Sequence, residues 1–102
     1  MQRRVAVVGF GVAEQVAAAY WARRGAKVTI CDANPVLEVP EPYAVQLGEL
    51  YLQHLGIVDL IVHTTAVPEA AILTANPRSP GLAGRIVPTS YREPAIESNH
   101  KE

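Results

Sequence analysis

A β-branched run that stops at a glycine turn and gives way to an alanine-rich helical pattern constrains this chain more than any other feature. Residues 4–8, Arg-Val-Ala-Val-Val, precede Gly9-Phe10-Gly11. A strand apolar at successive positions is covered on both faces, as in a parallel sheet. From Val12 to Ala22 the period changes to that of a helix. Val12, Val16, Ala19, Tyr20 and Arg23 share one face, and the alanines permit close approach to a sheet. Arg23 and Arg24 suit a helix C-terminus, and Gly25 suits the left-handed stop. Lys27-Val28-Thr29-Ile30-Cys31 then reads as a second strand, which completes a βαβ unit.

The same alternation continues. Residues 32–42 carry Pro35, Pro40 and Pro42, a density that excludes regular helix and reads as a surface connection. Residues 43–47 predict a weak third strand ended by Gly48, and residues 49–55 two helical turns ended by Gly56. Val58–His63 is a stronger fourth strand. Pro68 and Glu69 suit the first turn of a helix to about Ala75. Residues 76–81 break that helix, and residues 85–88 form a short last strand, limited by Pro88. From Arg92 the composition turns polar, with Ile96 alone to bury, so a domain over 1–91 and a disordered tail over 92–102 are expected. The pattern implies an α/β fold, a parallel sheet of about five strands with helices on both faces.

Composition removes several function classes. In 102 residues the net charge is −1, and the nine Lys and Arg residues are scattered, which argues against a nucleic-acid partner. No apolar stretch is long enough to span a membrane. The first apolar run contains Gly9 and Gly11 and reads as the start of a domain pattern, not as a leader. Cys31 is the single cysteine, so no internal disulfide is available, and the three histidines fit no zinc spacing. A cytoplasmic domain is expected. Its weak third strand and short last strand leave edges through which a homodimer can form.

In an open parallel sheet, ligands bind beyond the strands' carboxyl ends, where strand order reverses. Gly9 and Gly11 supply two of three glycines of a phosphate-binding turn, the first for the tight turn and the second for close backbone approach. The third position is Glu14, a carboxylate in the first helical turn where a phosphate would sit; it favours the empty helix end by about 0.3–1 kcal/mol. Asp32, after the second strand, can accept from a ribose or a base, or can cap the Asp-Ala-Asn-Pro turn. Thr64 and Thr65 can hold a phosphate or sugar, or cap the following helix. His63 lacks a spaced acid or nucleophile and reads as a packing residue. Cys31 reads as an inert core thiol, and Tyr20 and Trp21 as packing residues.

Taken in order, these segments resemble the N-terminal domain of the Mur ligase family, nearest to its D-glutamate-adding members. The resemblance rests on Val-Ala-Val-Val-Gly-Phe-Gly at 5–11, Arg-Gly-Ala-Lys-Val-Thr-Ile-Cys-Asp at 24–32, Gln-Leu-Gly at 46–48, Val-Asp-Leu-Ile-Val at 58–62 and Val-Pro at 67–68. It covers about residues 3–90. It implies a Rossmann-like three-layer sandwich that holds the uridine diphosphate end of a UDP-linked sugar-peptide precursor (UDP-N-acetylmuramoyl-L-alanine) in peptidoglycan synthesis. Gly9, Gly11, Val12 and Ala13 would then face the pyrophosphate, Asp32 and Ala33 the uracil, and Thr64, Thr65 and Ala66 would complete the pocket. The family usually has Gly at the Glu14 position and Ser-Pro-Gly at 64–66, and both departures point to weaker binding. Nothing after Ser90 resembles the family's Gly-Lys-Thr or Gly-Lys-Ser loop. ATP and magnesium are therefore expected only in a central domain outside this chain, and this chain alone is expected to be catalytically inactive. Two other readings use the same residues: a regulatory module binding NAD or a related dinucleotide, and a scaffold that binds nothing.

Overall fold

The computed structural model describes residues 2–93. Nine elements follow in chain order. They are β1 (Arg4–Val8), α1 (Val12–Arg23), β2 (Lys27–Asp32), β3 (Ala44–Leu47), a 3₁₀ turn (Leu55–Ile57), β4 (Leu60–His63), α2 (Glu69–Ala75), a second 3₁₀ turn (Leu82–Arg85) and β5 (Ile86–Pro88). All five strands are parallel, in the order β3-β2-β1-β4-β5. The α/β expectation with a five-stranded sheet holds.

Each strand of the centre divides its side chains between two cores. Val5 and Val7 of β1, Val28 and Ile30 of β2, and Val62 of β4 pack with Ala17, Ala18 and Trp21 of α1. Ala6, Val8, Cys31 and Ile61 point the other way, toward Ile72 of α2 and toward Leu55, Val58 and Leu82. Period-two alternation thus feeds two apolar layers, which is why β1 reads as an unbroken hydrophobic run. No helix among the described residues is long and apolar enough to cross a membrane.

Three expectations need correction. The face of α1 that meets the sheet carries Glu14, Ala17, Ala18 and Trp21; Val12 and Val16 are exposed. The alanines let the helix lie close, and the large indole of Trp21 outweighs two valines in choosing the buried stripe. Residues 49–54 form turns instead of helix. There Tyr51 N–H and Gln53 N–H bond three residues back, to Gly48 and Leu50, while Gln46 Nε2 donates to the carbonyls of Tyr51 (2.8 Å) and Gln53 (2.6 Å) that a helix would use. His54 then takes a left-handed φ of 62°, which interrupts any helical continuation. Finally, Arg92 and Glu93, assigned to the tail, are docked on α1, and residues 94–102 lie outside the described residues.

The end of α1 matches its sequence. Gly25, at φ 88°, donates to Ala22 O (3.0 Å), and Ala26 donates to Trp21 O (3.1 Å). These paired bonds are the Schellman closure that Gly permits.

Candidate functional site

Because β1 has β2 on one side and β4 on the other, strand order reverses between β1 and β4. The loops after these two strands therefore flank the switch point, with the loop after β2 beside them. All nine candidate residues lie along this carboxyl edge of the sheet.

Gly9 closes β1. Its N–H donates to Cys31 O at 2.7 Å, and Thr64 N–H donates to Val8 O at 3.2 Å, so the two loops start level. Gly9 has φ 98°, and a Cβ placed on it would lie 2.9 Å from Thr64 Cγ2 and 3.4 Å from Glu14 Cγ. Glycine is required here both by backbone conformation and by the contact between loops. Gly11 is the N-cap of α1, in extended conformation. Val12 and Ala13 are exposed in the first turn, where helix geometry leaves amides without intrahelical partners.

Glu14 turns back toward that turn. Its Oε1 accepts the Gly11 N–H at 2.8 Å, and the residue is 7% exposed. This is half of a capping box, since Gly11 has no side chain to return the bond. A carboxylate of the protein thus occupies one of the amides a phosphate would seek.

Asp32 ends β2, half-buried. Its Oδ1 accepts the Asn34 N–H at 2.9 Å, and Asn34 Oδ1 accepts the Val36 N–H at 3.0 Å, so two successive side-chain turns shape the loop and leave Ala33 exposed. Asp32 Oδ2 carries no hydrogen bond among the described residues. Thr64 Oγ1 accepts the Ala66 N–H at 3.3 Å, while Thr65 and Ala66 are exposed. His63 Nδ1 lies 2.9 Å from Val67 O and 3.0 Å from Thr64 O. Two carbonyl partners require that nitrogen to carry the proton, so the imidazole staples its own loop. Burial pushes the Cys31 thiol up to about 12, which leaves it un-ionised at neutral pH and inert as a nucleophile. Among the described residues, no group of three or more His, Cys, Asp or Glu side chains is placed to hold a metal ion.

The edge is therefore an internally bonded rim. A cleft of about 420 Å³ lies elsewhere, between the 53–57 and 75–79 segments at the amino ends of the strands. Sequence reasoning also missed a polar cluster at the far end of α1, where Glu93 meets Arg3 and Arg24. An aromatic pair in α1 and Tyr91 near a late acid were the available signals.

No established protein-family profile matches the chain. The chain is similar to the UDP-N-acetylmuramoylalanine--D-glutamate ligase of Symbiobacterium thermophilum, 32% identical over 96 residues. The match takes in 84% of this chain but 21% of that ligase, so the chain spans about a fifth of the length of the relative. It supports a resemblance to the Mur ligases.

Proposed function

We propose that the chain is the nucleotide-anchoring N-terminal domain of a cytoplasmic D-glutamate-adding ligase of the Mur type. It would hold the UDP end of the sugar-peptide precursor at the carboxyl edge of its sheet. The observation that carries this reading is the neighbourhood of three loops, 9–14, 32–33 and 64–66, about the switch point in a chain with that similarity. The pyrophosphate would lie over Gly11, Val12 and Ala13, where first-turn amides and the helix dipole favour an anion. Asp32 Oδ2 would accept from the uracil or ribose, and Thr64, Thr65 and Ala66 would close the other side. Binding energy spent on this inert end of the substrate positions its reacting carboxylate elsewhere in a longer enzyme. ATP and magnesium would belong to that remainder.

One observation favours the scaffold reading instead: the Glu14 carboxylate already satisfies Gly11 N–H. A phosphate reaching that amide must first turn Glu14 away. The deciding experiment is a titration of the chain with UDP, the UDP-muramoyl-alanine precursor and NADH, followed by amide NMR shifts. Shifts at Gly11–Ala13, Asp32 and Thr64–Ala66 with the precursor, and none with NADH, are expected. Shifts with NADH alone would replace the proposal by a dinucleotide sensor. No shift with any of the three at millimolar concentration would leave the scaffold.

A further inference from the structure

Beyond β5 the chain returns across the sheet's edge to α1. Pro88 ends the ladder, and Tyr91 N–H turns back to Pro88 O at 3.0 Å, so residues 91–93 have no strand partner. Their hold is made by side chains. The Tyr91 ring stacks on Trp21 with centroids 6.1 Å apart and planes 8° from parallel. The Glu93 N–H donates to Tyr20 Oη at 3.1 Å. The Glu93 carboxylate accepts both terminal nitrogens of Arg3, one at 2.9 Å, and Arg24 Nη2 at 2.8 Å. Arg92 sits over the Tyr20 ring at 4.7 Å.

We propose that Tyr91–Glu93 is a releasable strap, which when closed covers Trp21 and fixes where the polypeptide leaves the sheet, and when open bares the Trp21–Tyr20 aromatic pair together with Arg3 and Arg24. Three observations support release. The ion pairs lie at the rim, with the Arg3 and Arg24 side chains 42% and 35% exposed and Glu93 19%, so that solvent and salt reach their cationic side and screen them. No backbone ladder secures the segment. Trp21, on which Tyr91 stacks, has an Nε1 that is buried without a hydrogen-bond partner among the described residues. A buried orphan donor disfavours the closed state, and water reaching it on opening removes that penalty. The two arginines hold the Glu93 carboxyl below the usual carboxylate range, so the latch is ionised at neutral pH.

Trp21 is the single tryptophan, which makes its fluorescence a direct report on the strap. In the full chain, Glu93→Gln should raise the open population roughly fivefold, the ratio expected for two modest exposed pairs. The emission maximum should move to the red and acrylamide quenching should rise, while far-UV circular dichroism stays as in the unchanged protein. Raising salt to about 1 M, where the Debye length is about 3 Å, should move the unchanged protein in the same direction. That second arm stands even if the variant folds poorly. Equal quenching of Glu93→Gln and the unchanged chain, with no salt response, would overturn the strap and leave a static C-terminal contact.

Discussion

The two ends of helix α1 each receive a carboxylate, from opposite distances along the chain. At the amino end Glu14 reaches back three residues and takes the Gly11 amide. At the carboxyl end Glu93 arrives from 69 residues away and joins Arg24 and Arg3. The local contact forms with the helix and caps its first turn. The distant one ties the segment after the last strand to the first helix and to the residue before β1. Glu14 beside the amino end and the basic Arg24 at the other end complement the helix dipole, whereas Glu93 meets the helix only by pairing with that arginine.

The largest effects should come from breaking the anchors beneath each end. Trp21→Ala removes the largest fully buried side chain, the one on which the strap lies. The expected loss is about 3–5 kcal/mol by urea denaturation, a large share of the stability of a domain this size. A loss below about 1 kcal/mol would mean that the α1 layer reorganises around the gap. At the other end, Gly9→Ala forces a side chain into φ 98° and against Thr64 Cγ2, for about 1–3 kcal/mol. Adding Thr64→Ser removes that methyl group, so the double variant should recover the steric part of the loss and not the backbone part. Full recovery would show that the backbone conformation carries no strain.

The same asymmetry explains what could be read from the sequence. Several local features were legible: β1 ending at Gly9, the left-handed stop at Gly25, the helix after Pro68, and, as one of two readings, the side-chain turn at Asp32. These depend on residues within one turn of each other. The buried face of α1 was not, because Val12, Val16 and Tyr20 make as good a helical stripe as Glu14, Ala17, Ala18 and Trp21. Only the sheet beneath decides between them. The 49–55 turns were missed because Gln46, a strand residue, intercepts their carbonyls. For the site, the edge and its three loops were legible, and the danger at Glu14 was visible as a misplaced charge. The signal that Glu14 would take the Gly11 N–H was the N-cap to N3 spacing of a capping box, obscured because Gly11 lacks the usual capping side chain. Arg92 and Glu93 looked like tail because their partners Arg3, Tyr20 and Arg24 lie far away in sequence.

Glu14 separates capping from ligand exclusion. Glu14→Ala should cost about 0.3–1.5 kcal/mol of stability while strengthening UDP binding, since the Gly11 amide is freed. Glu14→Gln keeps an oxygen acceptor without the charge. It should retain most of the cap and gain affinity through lost repulsion of the pyrophosphate. Calorimetric titration of the three proteins against UDP reads both effects. If Glu14→Ala loses stability yet binds no better, the cap and the candidate site are unrelated.

The smallest effect, and the cleanest contrast with Glu14, belongs to Glu93 and pH. Arg3 and Arg24 hold its folded-state carboxyl below the ordinary range, chiefly through the Arg3 hydrogen bond. A depressed pKa stabilises the fold above the unfolded value of about 4.3, and the gain disappears as pH falls through the folded value. Because the arginines are partly exposed, the contribution should stay under about 1 kcal/mol and shrink in salt. Other carboxylates titrate over the same range, so the test is a difference. Urea midpoints of the unchanged chain and Glu93→Gln should be furthest apart near neutral pH and converge in acid. Curves that run parallel from neutral to about pH 3 would show that the long-range carboxylate, unlike the local one, contributes geometry without stability.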